Sequence, residues 1–155
     1  MTIFLASDHA GFGLKEKIKK FLTEKGYQVN DFGAASYNES DDYPDFVRKA
    51  AEAVSECVQS GPSTSSGSKQ CFGIVLGGSG QGEAMVANRY KGVRAAVLYK
   101  FDRAIIKLSR EHNDANVLAI GARFLGERKA LKAVELWLKT PFSGEERHKR
   151  RISKF

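Results

Sequence analysis

The sequence predicts an α/β fold, a three-layer α/β/α sandwich around a five-stranded parallel sheet. Five short runs rich in β-branched and aliphatic residues recur along the 155-residue chain, and a segment with helical periodicity follows each run. Strands that alternate with helices in this way form parallel sheets with crossover helices on both faces. With 42% hydrophobic residues the chain can bury a sizeable core, so we expect a single domain over residues 1–155.

The predicted strands lie, in chain order, at 3–6, 28–31, 72–76, 94–98 and 117–120. The first predicted helix stops at Gly26, because glycine is favoured just after a helix. Its apolar face consists of Leu14, Ile18, Phe21 and Leu22. Similar patterns predict helices at about 43–58, 81–89, 102–110 and 127–139.

A serine- and glycine-rich segment, "SGPSTSSGSK" at 60–69, separates the second helix from the third strand. It is too polar to bury the apolar surface that would offset the entropy cost of ordering it. We therefore expect a mobile loop. Because it precedes a strand, it should lie at the amino edge of the sheet, whereas ligands in open α/β sheets bind at the carboxyl edge. Function should not depend on it.

The two cysteines, Cys57 and Cys71, are too few for a disulfide framework or a four-ligand zinc site. We interpret them as free thiols, with a local disulfide as the alternative. No run approaches the roughly 18 apolar residues of a membrane span, and the first residues show no signal-peptide pattern. We expect a cytoplasmic protein that has no membrane partner.

The chain is basic, with 25 Lys and Arg against 18 Asp and Glu and a net charge of +7. Much of the excess lies in the last nine residues, "RHKRRISKF", which favours an anionic partner. Arg147 and Arg151 are four residues apart, so they share a helix face and could hold one phosphate together. A solvated basic helix is the alternative, and Arg123 in "GARFLG" is ambiguous in the same way.

Three polar segments accompany the predicted strands: "SDHAG" after the first, "GGSGQGE" after the third and "REHNDAN" just ahead of the fifth. We expect them to converge on one edge of the sheet, the edge where the strands end. Asp8 has a simpler interpretation as a helix cap. His112 and Asn113 could likewise terminate a helix. Two of the three histidines, however, lie in these segments, which favours a site.

The third segment contains a glycine loop in which Gly78, Gly80 and Gly82 give G-x-G-x-G. It does not match the dinucleotide fingerprint, which requires G-x-G-x-x-G in the first βα unit, and no Lys-Ser or Lys-Thr follows as in a P-loop. Backbone N–H groups of such a loop and the following helix can bind an anion or oxyanion. A tight strand-to-helix turn without a ligand remains the alternative.

Six ordered segments together closely resemble the type B ribose-5-phosphate isomerases, a family that also holds galactose-6-phosphate isomerase. They are "SDHAG", "DDYPDF", "GIVLGGSGQGE", "ANRYKGVRAA", "REHNDANVLAIGAR" and "RHKRRI". The resemblance implies a Rossmann-like fold and an aldose–ketose isomerase that needs neither cofactor nor metal. It also implies a homodimer or dimer of dimers, in which residues of the partner subunit complete each active site.

One departure from the family pattern concerns the catalytic base. Many members carry a catalytic cysteine at the position of Gly77, and this chain has none there. Cys71 cannot replace it, because six strand residues at roughly 3.3 Å each place it about 20 Å away. A second branch of the family uses a glutamate at the helix start, and Glu83 occupies that position. Near a helix N-terminus, Glu83 should stay ionised at neutral pH.

The resemblance also implies roles for the other residues. Ser79 and His112 would assist opening of the sugar ring, with His112 as proton donor, while Asp8 and Asn113 would hold sugar hydroxyls. The loop Gly78, Ser79, Gly80, Gln81 and Gly82 would bind the substrate and stabilise the enediolate. The phosphate ligands would be His9, Arg123, Arg147 and Arg151.

The sequence leaves two alternatives open. A six-carbon sugar phosphate such as allose or galactose 6-phosphate would need a deeper pocket, which the sequence does not measure. A nucleotide- or nucleic-acid-binding module could use the glycine loop and the basic tail, and its affinity would fall steeply with salt. No aromatic residues are interleaved with the basic run, so we expect no nucleic-acid partner.

Overall fold

The structure, a computed structural model, describes residues 1–60 and 70–155. In these residues five parallel strands form one sheet in the order β2-β1-β3-β5-β4. The strands are β1 (Thr2–Ser7), β2 (Gln28–Asp31), β3 (Cys71–Gly77), β4 (Ala95–Leu98) and β5 (Val117–Gly121). The helices are α1 (His9–Glu24), α2 (Tyr43–Gln59), α3 (Gln81–Ala87), α4 (Arg103–Glu111), α5 (Glu127–Lys139) and α6 (Glu146–Ile152).

The three-layer sandwich is confirmed. Helices α1, α4 and α5 cover one face of the sheet with large side chains such as Ile18, Ile106 and Trp137. Helices α2 and α3 cover the other face, where small residues such as Ala50 and Ala84 allow close packing. Because both faces are covered, β3 is buried along nearly its whole length, which is why its sequence reads as a continuous apolar run.

The register of the central strands brings their carboxyl ends together. Ser7 of β1 lies opposite Leu76 of β3, which in turn lies opposite Ile120 of β5. The segments that follow these three strands therefore emerge side by side at one edge. Two of them are polar segments that the sequence analysis singled out, the one after β1 and the glycine loop after β3.

The predicted position of the third polar segment is wrong. The segment begins in the last turn of α4, and residues 112–116 connect α4 to the start of β5, so they lie at the amino edge. The Asn116 side chain accepts a hydrogen bond from the backbone N–H of Arg94, just ahead of β4, at 2.7 Å, and its carbonyl accepts one from Gly73 in the first half of β3. His112 and Asn113 are therefore on the opposite edge from the glycine loop. The physical reason is chain direction, since a segment that precedes a strand meets its amino end.

The interpretation of the cysteines as free thiols is also wrong, because Cys57 and Cys71 form a disulfide with a Cα–Cα distance of 6.4 Å. Helix α2 packs against β3, and this packing brings the end of the helix to the start of the strand. Cys71 does lie at the amino end of β3, as predicted.

The predicted mobile loop at 60–69 falls, except for Ser60, outside the described residues. Among the helices that are described, none has the length and apolarity to cross a bilayer.

A buried lysine ties α1 to the end of β2. The side chain of Lys15 is 0% exposed, and its Nζ donates to Asp31 Oδ2 at 2.6 Å and to the Ala34 carbonyl at 2.9 Å. Lys19 donates to the same carboxylate oxygen at 2.8 Å. Burial acts to raise the pKa of Asp31, but the hydrogen bonds from Lys15 and Lys19 outweigh it and lower the pKa. Asp31 is therefore needed to neutralise a cation that has left water.

Replacing this carboxylate should destabilise the fold. Asp31→Asn removes the more buried carboxylate partner of the Lys15 ammonium and leaves only the partly exposed Glu16, whose Oε1 lies 2.9 Å from Nζ. We expect a loss of about 3 kcal/mol in the free energy of unfolding, measured in urea. Lys15→Met is the matched control, because it removes the buried charge itself and should cost less. Because folding lowers the pKa of Asp31, its carboxylate stabilises the fold at pH values above the pKa that Asp31 has in the unfolded chain. This stabilisation is lost as the pH falls through the pKa that Asp31 has in the folded protein. Equal losses in both variants would contradict this account.

Candidate active site

The glycine loop after β3 is held against the end of β5. The carbonyls of Gly77 and Gly78 accept hydrogen bonds from the backbone N–H groups of Ala122 and Arg123, at 2.8 and 3.2 Å. Gly80 has a φ of +78°, and a Cβ at this position would lie 2.8 Å from the carbonyl oxygen of Ala119. A glycine is required there because a side chain has neither the conformation nor the space. The loop is thus fixed in place directly before α3.

Glu83 lies in the first turn of α3 and is 4% exposed. Its carboxyl group occupies the space that a side chain at Gly77 would fill: a Cβ built on Gly77 would collide with Oε1 and Cδ of Glu83 and lie 3.1 Å from Oε2. The carboxyl group is therefore located where many family members are expected to carry a cysteine. A glycine at 77 and a glutamate at 83 are sterically linked.

The environment of Glu83 changes its acidity. Burial raises the pKa of Glu83, the nearby charge of Asp8 raises it further, and the backbone amides of Glu83 and Gly80 act in the opposite direction without cancelling the rise. The helix N-terminus alone would have lowered it, so desolvation dominates. A carboxylate with a raised pKa is a stronger base than an ordinary glutamate, which suits proton abstraction.

Asp8 and His9 follow β1 at the same edge. Asp8 is 6% exposed and caps α1, since its Oδ1 accepts a hydrogen bond from the Gly11 N–H at 3.1 Å. His9 contacts Asp41, whose Oδ1 lies 2.8 Å from His9 Nδ1 and accepts the His9 backbone N–H at 2.9 Å. The ring of Tyr37 meets that of His9 edge-on. Capping thus explains Asp8 structurally, but His9 is held by a carboxylate that the sequence analysis did not identify.

The contact with Asp41 keeps His9 basic. Its hydrogen bond raises the pKa of His9 against burial and against the positive charge of Arg123. In the described residues, Asp8, His9 and Asp41 also have the spacing of metal ligands, because the atoms that could bind a metal ion lie within 4.8 Å of one another. Both Asp8 and His9 already bond to protein partners, Gly11 and Asp41. The arrangement favours an imidazolium that attracts an anion.

Arg123 and Tyr43 complete this carboxyl-edge cluster. The guanidinium of Arg123 lies 3.4 Å from where a Cβ of Gly78 would be, and the Tyr43 hydroxyl lies 2.5 Å from where a Cβ of Gly82 would be. Both side chains therefore border the loop. Tyr43 and Asp41 were missed as site residues, although both lie in the "DDYPDF" segment on which the family resemblance partly rests.

The remaining predicted residues form a second, amino-edge cluster. His112 ends α4, Asn113 follows it, and the ring of His112 stacks on that of His148 in α6 with centroids 4.2 Å apart. Arg147 and Arg151 are exposed on α6, and Arg147 Nε donates to Glu145 Oε2 at 2.8 Å. The two arginines lie one turn apart on one helix, as predicted, whereas a phosphate at these arginines is still a prediction. His148 was not singled out by the sequence analysis.

One chain therefore carries the predicted site residues in two clusters on opposite edges of the sheet. Glu83 and Asp8 lie at the carboxyl edge, and His112 lies at the amino edge, beyond the start of β5. The five residues of β5 at roughly 3.3 Å each separate the edges by about 16 Å, too far for one pentose to contact both. Each cluster holds only part of the predicted machinery.

Known proteins resemble the chain over almost its full length. The sequence model of the family described as Ribose/Galactose Isomerase matches residues 3–155. Ribose-5-phosphate isomerase B of Mycolicibacterium paratuberculosis is 41% identical over 152 residues, covering 98% of this chain and 87% of the relative. The solved ribose-5-phosphate isomerase B of Clostridium thermocellum has a TM-score of 0.85 and 44% identity, covering 99% of this chain and 94% of that chain. The Mycoplasma genitalium structure with bound ribulose 5-phosphate has a TM-score of 0.87 and 37% identity, covering 99% and 92%.

Proposed function

The chain belongs to the ribose/galactose isomerase family, and on that premise we propose that it interconverts ribose 5-phosphate and ribulose 5-phosphate with Glu83 as the catalytic base. The observation that carries the proposal is the buried carboxyl group of Glu83 in the side-chain space of Gly77. That position is at the carboxyl edge of a parallel sheet, where ligands of such folds bind. A relative with 37% identity was solved with ribulose 5-phosphate bound.

The proton transfer uses one carboxylate. In the open-chain aldose, Glu83 takes the proton from C2, and the electron pair moves through C1 to the carbonyl oxygen to give a cis-enediolate. The same group, now protonated, returns the proton to C1. The C2 hydroxyl gives up its proton to O1, so the ketone forms at C2 and the C1 oxygen becomes a hydroxyl. Backbone N–H groups of the segment from Gly78 to Gly82 stabilise the negative oxygen of the intermediate, as in an oxyanion hole. The raised pKa of Glu83 favours the first step.

Ring opening precedes this chemistry. The aldose enters as a furanose, and the C1–O4 bond breaks as His112 donates a proton to O4 while the O1 hydroxyl loses its proton to water with assistance from Ser79. Asp8 and Asn113 hold the sugar hydroxyls during both steps. Asp8 is buried and fixed by its cap contact with Gly11, so it offers a rigid acceptor, which favours correct orientation of the sugar.

The phosphate needs cations at the far end of the sugar. His9 and Arg123 supply two at the carboxyl edge, and Arg147 and Arg151 supply two at the amino edge. Because one chain keeps these pairs apart, we infer that two copies pack with the carboxyl edge of one against the amino edge of the other. Two-fold symmetry then forms two complete sites per dimer. Nothing in this arrangement requires a cofactor.

A substrate panel tests the proposal. The purified protein should convert ribose 5-phosphate with a higher kcat/KM than allose 6-phosphate or galactose 6-phosphate, measured by ketose formation in the absence of added cofactor. A preference for a six-carbon substrate would move the assignment to the other activity named for the family. Absence of turnover with every aldose phosphate, together with salt-sensitive binding of nucleic acid, would overturn it in favour of a binding module.

The arginines of α6 should bind the phosphate rather than take part in the chemistry. Arg147→Ala and Arg151→Ala each remove a charge-assisted contact, and we expect KM for ribose 5-phosphate to rise about 10- to 100-fold, with a smaller loss in kcat. Arg150→Ala is the matched control, because Arg150 is an exposed arginine on the same helix. Non-phosphorylated ribose separates binding from structure: if its slow turnover falls as much as that of the ester, the arginines are structural.

Phosphate binding should weaken as His9 loses its proton. The pKa of His9 is raised by Asp41, so KM for ribose 5-phosphate should stay low below that pKa and increase as pH rises through it. Asp41→Asn removes the charge and should shift this increase in KM to lower pH, which a pH series of initial rates measures. An unchanged pH profile in Asp41→Asn would show that His9 does not contact the phosphate as a cation.

A further inference from the structure

His148 is a buried imidazole without a role in the reaction described above. Its side chain is 3% exposed, although Arg147 and Lys149 beside it on α6 are exposed. Its Nε2 has no hydrogen-bond partner among the described residues, and Oε1 of Glu145 lies 3.8 Å away. A buried polar atom without a partner lowers stability. An apolar residue would fill the same position without that cost.

The contact that distinguishes His148 is its stack on His112. The two rings are nearly parallel, with an interplanar angle of 16° and centroids 4.2 Å apart. The backbone of His112 is fixed by α4, since its N–H donates to the Leu108 carbonyl at 3.0 Å. In the described part of the chain, no hydrogen bond holds its imidazole. The ring of His148 is therefore the surface that defines the plane of the His112 ring.

The charge state of His148 suits this contact. Burial lowers the pKa of His148, and the positive charges of His112 and Arg147 lower it further. The neutral form of His148 is therefore favoured relative to that of a free imidazole. A neutral His148 ring allows His112 to carry a proton without stacking on a second cation. Paired titratable groups commonly divide their roles in this way, with one protonated and the other neutral.

We propose that His148 is a positioning residue that holds the imidazole of His112, through ring stacking, in the orientation from which it donates a proton during opening of the sugar ring. The inference rests on the proposed function, in which His112 is that proton donor. His148 itself contacts neither the sugar nor the phosphate. The competing explanation is that His148 merely anchors α6, which carries Arg147 and Arg151.

Two reactions of the intact enzyme separate ring opening from proton transfer. Turnover of ribose 5-phosphate requires both steps. Exchange of the C1 proton of ribulose 5-phosphate with D₂O, followed by NMR, requires only Glu83 and the enediolate. Ribulose 5-phosphate is an open chain, because its C5 hydroxyl is esterified and cannot close a furanose ring. A residue that acts through His112 should affect the first reaction and spare the second.

His148→Leu keeps an apolar side chain but removes the flat ring. We expect kcat for ribose 5-phosphate to fall about tenfold or more while C1 exchange stays within about twofold of wild type. His148→Phe keeps a flat ring and should retain kcat within about threefold. In the background of His112→Asn, His148→Leu should cause no further loss, because the residue that it positions is already absent. Lys149→Ala, an exposed position on the same helix, is the matched control and should behave as wild type.

Three results would overturn the proposal. Equal losses of turnover and exchange in His148→Leu indicate general damage to the fold. A higher KM at unchanged kcat indicates that His148 only anchors α6 and its arginines. A His148→Phe variant as impaired as His148→Leu excludes stacking. Glu83→Gln tests the proposed function itself, because this variant should lose C1 exchange. If it retains C1 exchange, Glu83 is not the base, and the role proposed for His148 is rejected together with the reaction.

Discussion

Glu83→Gln should lower kcat for ribose 5-phosphate by a factor of order 10² or more while leaving the fold and substrate binding intact. The amide has the shape of the carboxyl group, so it still occupies the space beside Gly77, but it cannot accept the C2 proton. Removing a buried acid whose pKa is raised by desolvation should not destabilise the protein, because the charged form was disfavoured there. Steady-state kinetics and thermal unfolding measure the two effects.

Cys71→Ser is the control for Glu83→Gln. Cys71 belongs to the same strand and loop unit but lies at the amino end of β3, joined to Cys57. Its replacement should leave kcat near the wild-type value, whatever its effect on stability. Activity of Glu83→Gln close to wild type would reject the carboxylate as base, and a large loss of kcat in Cys71→Ser would show that the amino end of β3 takes part in catalysis.

The second large effect is recovery of activity from two inactive variants. Glu83→Gln and His112→Asn each remove one part of the machinery, and each alone should be impaired by a factor of order 10² or more. If Glu83 and His112 of one site come from different subunits, a mixed dimer holds one site with both residues intact. Random assembly of equal amounts makes half of the dimers mixed, so about a quarter of all sites should be active. Turnover of the co-expressed pair, relative to each variant alone, measures this recovery.

The control for this mixing experiment is a single chain that carries both substitutions. Co-expressed with wild type, it should give mixed dimers in which each site lacks one residue, and activity should come from wild-type dimers alone. If the co-expressed pair of variants shows no more turnover than the two variants measured separately and added together, each chain completes its own site. The separation of the two clusters by the length of β5 would then require a large rearrangement on substrate binding.

Much of the carboxyl-edge cluster was predictable because it is local in sequence. The apolar run of β3, the glycine loop and Glu83 are contiguous, and a strand followed by glycines and a helix forms a loop whose geometry depends on nearby residues. The predicted ends of β2 match the structure. The predictions for β1 and β3 differ from the structure by one residue at each end, and the prediction for β5 differs by one residue at its carboxyl end. The start of α1 at His9 follows from the cap that Asp8 provides.

The errors and omissions involve contacts between distant parts of the chain. His9 and Asp41 are 32 residues apart in sequence, and the disulfide joins residues separated by 14 positions. Periodicity reports which residues share a face of one element, but not which elements pack against each other. The misplaced segment 110–116 is a different kind of error, because chain direction alone assigns it to the amino edge, and the prediction grouped it with the other polar segments by composition.

The sequence by itself determined the class of fold, the order of strands and helices along the chain, the family, and Glu83 as the candidate base, because each of these depends on local pattern or on contiguous motifs. The tertiary structure decided which residues share an edge of the sheet. It separated His112 from Glu83 and brought Asp41 into contact with His9. It also stacked His148 on His112 and joined the two cysteines in a disulfide. These outcomes depend on strand order and on packing between layers, which bring together side chains that no local pattern connects.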